Sequence, residues 1–213
     1  MSNNLMDLLQ GQLSEGLLDQ LTNQLGGADK QQTAAAATGI ISTLIGGLSK
    51  NASTPEGASN LADALDRDHD GGVLDNLFDI FGGNAVTAPQ PTMERALNGS
   101  GIIKHILGDR TSGAVNMISQ MSGLDSGKTG NLMTMLAPIV MGALGRQKQQ
   151  QGLDVGGLVS LLTGTVTAQR QQSTGTTTMD LVTRFLDSDG DGSIMDDMAG
   201  FGMKFLGNLF KSR

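Results

Sequence analysis

Residues 186–197 read Leu186-Asp187-Ser188-Asp189-Gly190-Asp191-Gly192-Ser193-Ile194-Met195-Asp196-Asp197. Earlier by 121 positions, residues 65–76 read Leu65-Asp66-Arg67-Asp68-His69-Asp70-Gly71-Gly72-Val73-Leu74-Asp75-Asn76. Both fit L-D-x-D-x-D-G-x-[VI]-[LM]-D-[ND]. Carboxylates at alternate positions of a loop can be turned toward one point. A hard cation such as calcium takes about six to eight oxygen ligands, carboxylates among them. The spacing therefore predicts two calcium loops. The side-chain ligands are Asp66, Asp68, Asp70 and Asp75 in the first, and Asp187, Asp189, Asp191 and Asp196 in the second. The backbone carbonyls of Gly72 and Ser193 add one oxygen each. Gly71 and Gly192 stand at the sixth position, where the chain turns sharply and a side chain would be strained. In the EF-hand the twelfth position is a bidentate glutamate; here it is Leu77 or Met198. The loops are thus EF-hand-like but close early, on Asp75 and Asp196, which weakens the expected affinity. The competing reading is an Asp/Gly-rich turn that caps helices; the agreement of two separate loops favours the ion. At a spacer position, His69 is expected to face solvent, and His105, in an apolar helical stretch, to be partly buried.

The elements that position these loops read as helices. Leu5, Leu8, Leu9, Leu13, Leu17, Leu18, Leu21 and Leu25 recur at spacings of three and four, giving an amphipathic helix or helix pair that Gly26-Gly27 stops. Asp29 caps the next helix, about 30–49, which is apolar nearly all round and hence central. Ser53-Thr54-Pro55-Glu56 opens a third helix with proline in its first turn; this helix delivers Asp66 to the first loop. Leu74, Leu77, Phe78 and Phe81 form an exit helix, and 84–91, with two of the four prolines, a linker. The pattern then begins again. Gly108 and Gly113 fall where Gly11 and Gly16 did, and Asp125 opposite Asp29. A helix over 126–147, kinked at Pro138, and a short one over 155–162 follow. Thr163–Thr178 reads as an exposed Thr/Gln-rich insert. Met179–Leu186 leads into the second loop, and Ile194, Met198, Phe201, Phe205 and Leu209 mark its exit helix.

The fold class expected is all-α, with two tandem helical repeats. Residues 1–83 form the first, with acidic loop 66–76, and 84–99 link it to the second. Residues 100–213 form the second, with insert 163–178 and acidic loop 187–197. All six phenylalanines lie close to the loops, which suits a clamp on the helices that flank them.

Composition narrows the function classes. The 213 residues are enough to bury a sizeable core, built without Trp, Tyr or Cys. The net charge of −7 is local: the two loops hold nine of 21 acidic residues and one of 14 basic ones, leaving twelve acids against thirteen bases elsewhere. The field is concentrated where a cation could sit. No basic stripe exists to track phosphates, which argues against nucleic acid. Two histidines, no cysteine and no carboxylate cluster outside the loops leave little for acid–base or nucleophilic catalysis, so no enzyme is expected. No signal peptide or membrane span is apparent, giving a cytoplasmic location by default.

The run Asn131-Leu132-Met133-Thr134-Met135-Leu136-Ala137-Pro138-Ile139-Val140-Met141-Gly142-Ala143-Leu144-Gly145-Arg146, followed by Gly152-Leu153, resembles the bacterial "domain of unknown function 937" family. The segment from Ser53-Thr54-Pro55-Glu56-Gly57 to Leu65-Asp66-Arg67-Asp68-His69-Asp70-Gly71 resembles the same family's other hallmark. The resemblance covers about 5–83 and 100–198. It implies a helical bacterial protein with acidic loops and no assigned activity, and carries over no catalytic residues.

The leading expectation is a non-enzymatic calcium-binding protein in which the ion is mainly structural. A second is a self-assembling structural protein, an oligomer or filament, from the internal repetition and the small residues of the central helices. A third and weaker one is membrane-surface association through Phe201–Arg213.

Overall fold

In the computed structural model the described residues are 5, 9, 11, 13, 15–69, 72–75 and 95–172. Their regular elements are all helical: α1 (Glu15–Gln24), α2 (Lys30–Asn51), α3 (Pro55–Asp68), α4 (Gly72–Asp75), α5 (Gly99–Leu107), a 3-10 turn (Gly108–Arg110), α6 (Thr111–Ser122), α7 (Ser126–Gln151) and α8 (Val155–Gln172). No strand occurs among the described residues. The six phenylalanines, loop 187–197, the 84–91 linker and the two helices expected around the second loop lie outside them.

Local chemistry starts the helices where the caps predict. Asp29 accepts from the Gln32 N–H, and Asp125 from those of Gly127 and Lys128. Each satisfies donors that a helix N-terminus leaves without a partner. Thr54 caps α3 by accepting from Gly57 N–H, with Pro55 at the first helical position. Gly26 (φ 73°) and Gly123 (φ 73°) turn the chain before α2 and α7 in the left-handed region that glycine adopts without steric cost.

The long helices α2 and α7 form the centre. Ile40, Leu44, Ile45, Leu132, Met133 and Leu136 are fully buried. At about 1.5–3 kcal/mol for each large side chain removed from water, such positions dominate the stability. The Gln32 side chain at the start of α2 lies against Gly123, just before the α7 cap, and Leu48 and Met141 line one cleft further along. The two helices therefore run in the same sense. Down the side of α2, Gly47 meets Ile106 and Leu107 of α5, and Gly39 meets Ile118 of α6. The side-chain amide of Asn51, at the end of α2, donates to the carbonyls of His105 and Ile106 at 3.3 Å each, near the end of α5. A single hydrophobic cluster takes residues from both sides of the expected 84–99 linker, from Leu5 to Leu162.

Residues 15–68 and 111–172 follow a similar order of short helix, long apolar helix and third helix. Thr33 and Thr129, in the first turns of the two long helices, are both fully buried. Their hydroxyls donate to the carbonyls of the capping residues Asp29 and Asp125.

The expected exposed insert is corrected over its first part. Instead of stopping near 162, α8 continues to Gln172. Leu158, Leu162 and Thr165 recur at three- and four-residue spacing and are buried, with Val166 packed against the core. The threonine hydroxyls are satisfied inside the helix: Thr165 donates to Leu161 O and Thr167 to Thr163 O. Gln169 also reaches Ser42 of α2 at 2.9 Å. The polar stretch is a helix laid on α2.

Candidate functional site

The first acidic stretch begins in a helix. The final turn of α3 contains Asp66, Arg67 and Asp68, and His69 is its C-cap, donating its backbone N–H to Leu65 O. This helix runs further than the ladder spacing implied, since Asp66 was expected to open the loop. At about 3.6 residues per turn, side chains two apart point roughly 200° from each other around the axis. The two carboxylates accordingly turn to different cations. Asp66 meets the Lys148 ammonium of α7, whose side chain is only 12% exposed. Asp68 accepts from Arg67 Nε at 2.8 Å and from Arg95 Nε at 3.1 Å.

The Asp68 side chain is 7% exposed; the arginines beside it cover it at the surface, away from the deep core. Its burial opposes ionisation. The hydrogen bond and charge of Arg67, with the charge and hydrogen bond of Arg95, outweigh that and hold the carboxyl below its ordinary value of 3.8. A depressed carboxylate stabilises the fold above its unfolded-state value, and this contribution is lost as pH falls through the folded value. The Arg95–Asp68 pair is thus expected to add on the order of 0.2–1 kcal/mol at neutral pH and nothing in strong acid. Titration of the Asp68 carboxyl by NMR should give a midpoint below 3.8 that rises in Arg95→Ala. An unmoved midpoint would discard this account.

Of the other expected ligands, Gly72 opens the short helix α4, which also contains Asp75. Asp70 and the whole of Asp187, Asp189, Asp191, Ser193 and Asp196 lie outside the described residues, as does the Asp75 side chain. Among the described residues no three His, Asp or Glu side chains gather as a metal would require. The structure thus brings Asp66 and Asp68 to one helix end without aiming them at a shared point.

The histidine expectations are reversed. His69 is 6% exposed, because the longer α3 puts it at a C-cap against the protein. His105 is exposed. The buried face of α5 is Ile102, Ile103, Ile106 and Leu107, and that periodicity alone places 105 on the polar side with Lys104.

Both histidines line a cleft of about 730 Å³ that the linear reading missed. It lies between α3 and α5, with Leu48, Leu61, Ile102, Ile106 and Met141 at its floor and Lys50, Arg67 and Arg95 among its charged lining. Arg95 joins the group from 27 positions beyond Asp68. No local spacing signals such a meeting.

No helix among the described residues is long and apolar enough to cross a membrane. Residues 7–147 match a family described as "Bacterial protein of unknown function (DUF937)". No curated protein and no solved structure matches the chain.

Proposed function

The chain belongs to this bacterial family of unknown function, DUF937, and on that footing we propose that it is a non-enzymatic calcium-binding protein in which the ion serves mainly to hold helices together. The observation that carries the proposal is the pair of L-D-x-D-x-D-G stretches 121 residues apart. Three alternating aspartates followed by glycine supply the carboxylate oxygens and the sharp turn that a calcium loop uses. The position of the first stretch, where α3 passes to α4, adds support. An ion there would set the angle between a leading and a following helix. The same reading takes residues 15–68 and 111–172 as two copies of one unit, supported by the paired caps Asp29 and Asp125 and the paired buried threonines.

Calcium binding at the first stretch has a definite physical cost. Asp66 must give up Lys148, Asp68 must give up Arg67 and Arg95, and the last turn of α3 must open so that both carboxylates face one way. The ammonium and the ion compete. Titration calorimetry in metal-free buffer is expected to show calcium heat, and melting should shift upward by the linkage relation, about 2.7 kcal/mol when calcium stands at 100 times its Kd. Removing the competitor in Lys148→Ala should tighten the first site several-fold, while Asp189→Ala should abolish the second. Neither heat nor a melting shift at about 1 mM calcium, the weak end for such loops, would end the proposal.

A further inference from the structure

The α3–α5 cleft has the size and chemistry of a ligand site, and it borders the first acidic stretch at Arg67, Asp68 and His69. Its volume of about 730 Å³ lies within the roughly 300–1,000 Å³ of small-molecule sites, which combine an apolar lining with a few placed polar groups. The floor is aliphatic: Leu48 and Met141 from the two central helices, Leu61 from α3, Ile102 and Ile106 from α5. These are well-packed core residues, so the floor is firm, and methionine supplies the one adaptable surface in it.

The charged lining has a sign. Among the described lining residues, Lys50, Arg67 and Arg95 outnumber Glu56 and Asp68, in a chain of net −7. The arginines are already drawn together, both through Nε, by Asp68. A guanidinium carries five N–H donors in a fixed fork; the Nε bond uses one, and the terminal nitrogens of each are the part suited to a second acceptor. Two guanidinia sharing one carboxylate retain a charge that a monoanion would balance. The hydroxyl of Thr54 and the amides of Asn60 and Asn98 stand on the same cleft.

We infer that this cleft binds an aliphatic carboxylate, its chain on the Leu48–Ile102–Met141 floor and its head group on the terminal nitrogens of Arg67 and Arg95. A single head-group charge matches the one positive charge left over when two guanidinia share the Asp68 carboxylate. An aliphatic chain matches the apolar floor of Leu48, Ile102 and Met141.

Decanoate is the probe, titrated into the full chain in EDTA, so that the outcome does not depend on whether calcium binds. The methyl resonance of Met141, assigned by Met141→Leu, should shift on saturation, and calorimetry should show one molecule bound per chain. The Arg67→Ala/Arg95→Ala double variant, checked for native helicity by circular dichroism, should bind at least about tenfold more weakly, a change worth about 1.4 kcal/mol. Decyltrimethylammonium, with the same chain and the opposite charge, should not bind. The inference is overturned if Met141 does not respond, if the cationic amphiphile binds as well as decanoate, or if a folded double variant keeps its affinity. Should that variant not fold, the wild-type comparison of the two amphiphiles decides.

Discussion

Gly99→Ala is expected to cost about 3 kcal/mol, the upper part of the overpacking range. A Cβ at position 99 would lie 1.9 Å from the carbonyl oxygen of Thr134 and 2.8 Å from its carbonyl carbon. Those are backbone atoms in the middle of α7, so no rotamer change relieves the clash. The closeness has a cause in the sequence. Pro138 lies four residues after Thr134 inside α7. Proline has no N–H, so the Thr134 carbonyl faces a gap in the helical ladder where a donor would otherwise stand. The first residue of α5 rests against that spot, and only a residue without a side chain can come so near. Chemical denaturation compares Gly99→Ala with Gly130→Ala in α7, where an added Cβ meets nothing within 4 Å. The second should be neutral or slightly stabilising, since alanine is preferred to glycine in a helix by roughly 0.5–1 kcal/mol. Equal effects at the two positions would refute the argument.

Leu44→Ala should be comparably severe, about 2–5 kcal/mol. Leu44 is fully buried in α2, and α2 is packed by α1, α5, α6, α7 and α8. A helix enclosed by so many neighbours cannot easily collapse into the space a deleted isobutyl group leaves. The cavity is therefore retained, which sets the upper part of that range. Val155, 40% exposed at the start of α8, provides the contrast: its replacement by alanine should stay within about 0.5 kcal/mol. A Leu44→Ala loss below about 1 kcal/mol in the same denaturation series would mean that α2 is not the centre of the core.

The parts of the fold written locally could be read from the sequence. Asp29, Thr54-Pro55 and Asp125 announce helix starts because a cap acts on N–H groups two or three residues away. The nearly all-round apolar character of α2 announces burial, because a helix with so little polar face has nowhere to face water. What failed was composition used in place of periodicity. The threonines and glutamines beyond residue 162 resemble a loop, yet Leu158, Leu162 and Thr165 keep the helical spacing. His105 stands in an apolar stretch yet is exposed, because Ile102, Ile103, Ile106 and Leu107 define the opposite face. Long-range meetings had no linear signal at all. Gly99 against Thr134, Lys148 against Asp66 and Arg95 against Asp68 each depend on how helices cross. So does the cleft, half of whose lining comes from α3 and α5, elements more than thirty residues apart in the chain.

The hydrogen bond from Gln169 to Ser42 spans 127 positions, and it has a bearing on how the protein comes into being. As the chain leaves the ribosome, α2 is finished at Asn51, while α8 starts only at Val155. At about 5–20 residues per second, the roughly 100 intervening residues take on the order of 5–20 s to make. For that interval the face of α2 that α8 will cover lacks its eventual partner, and it is then that a chaperone would find it.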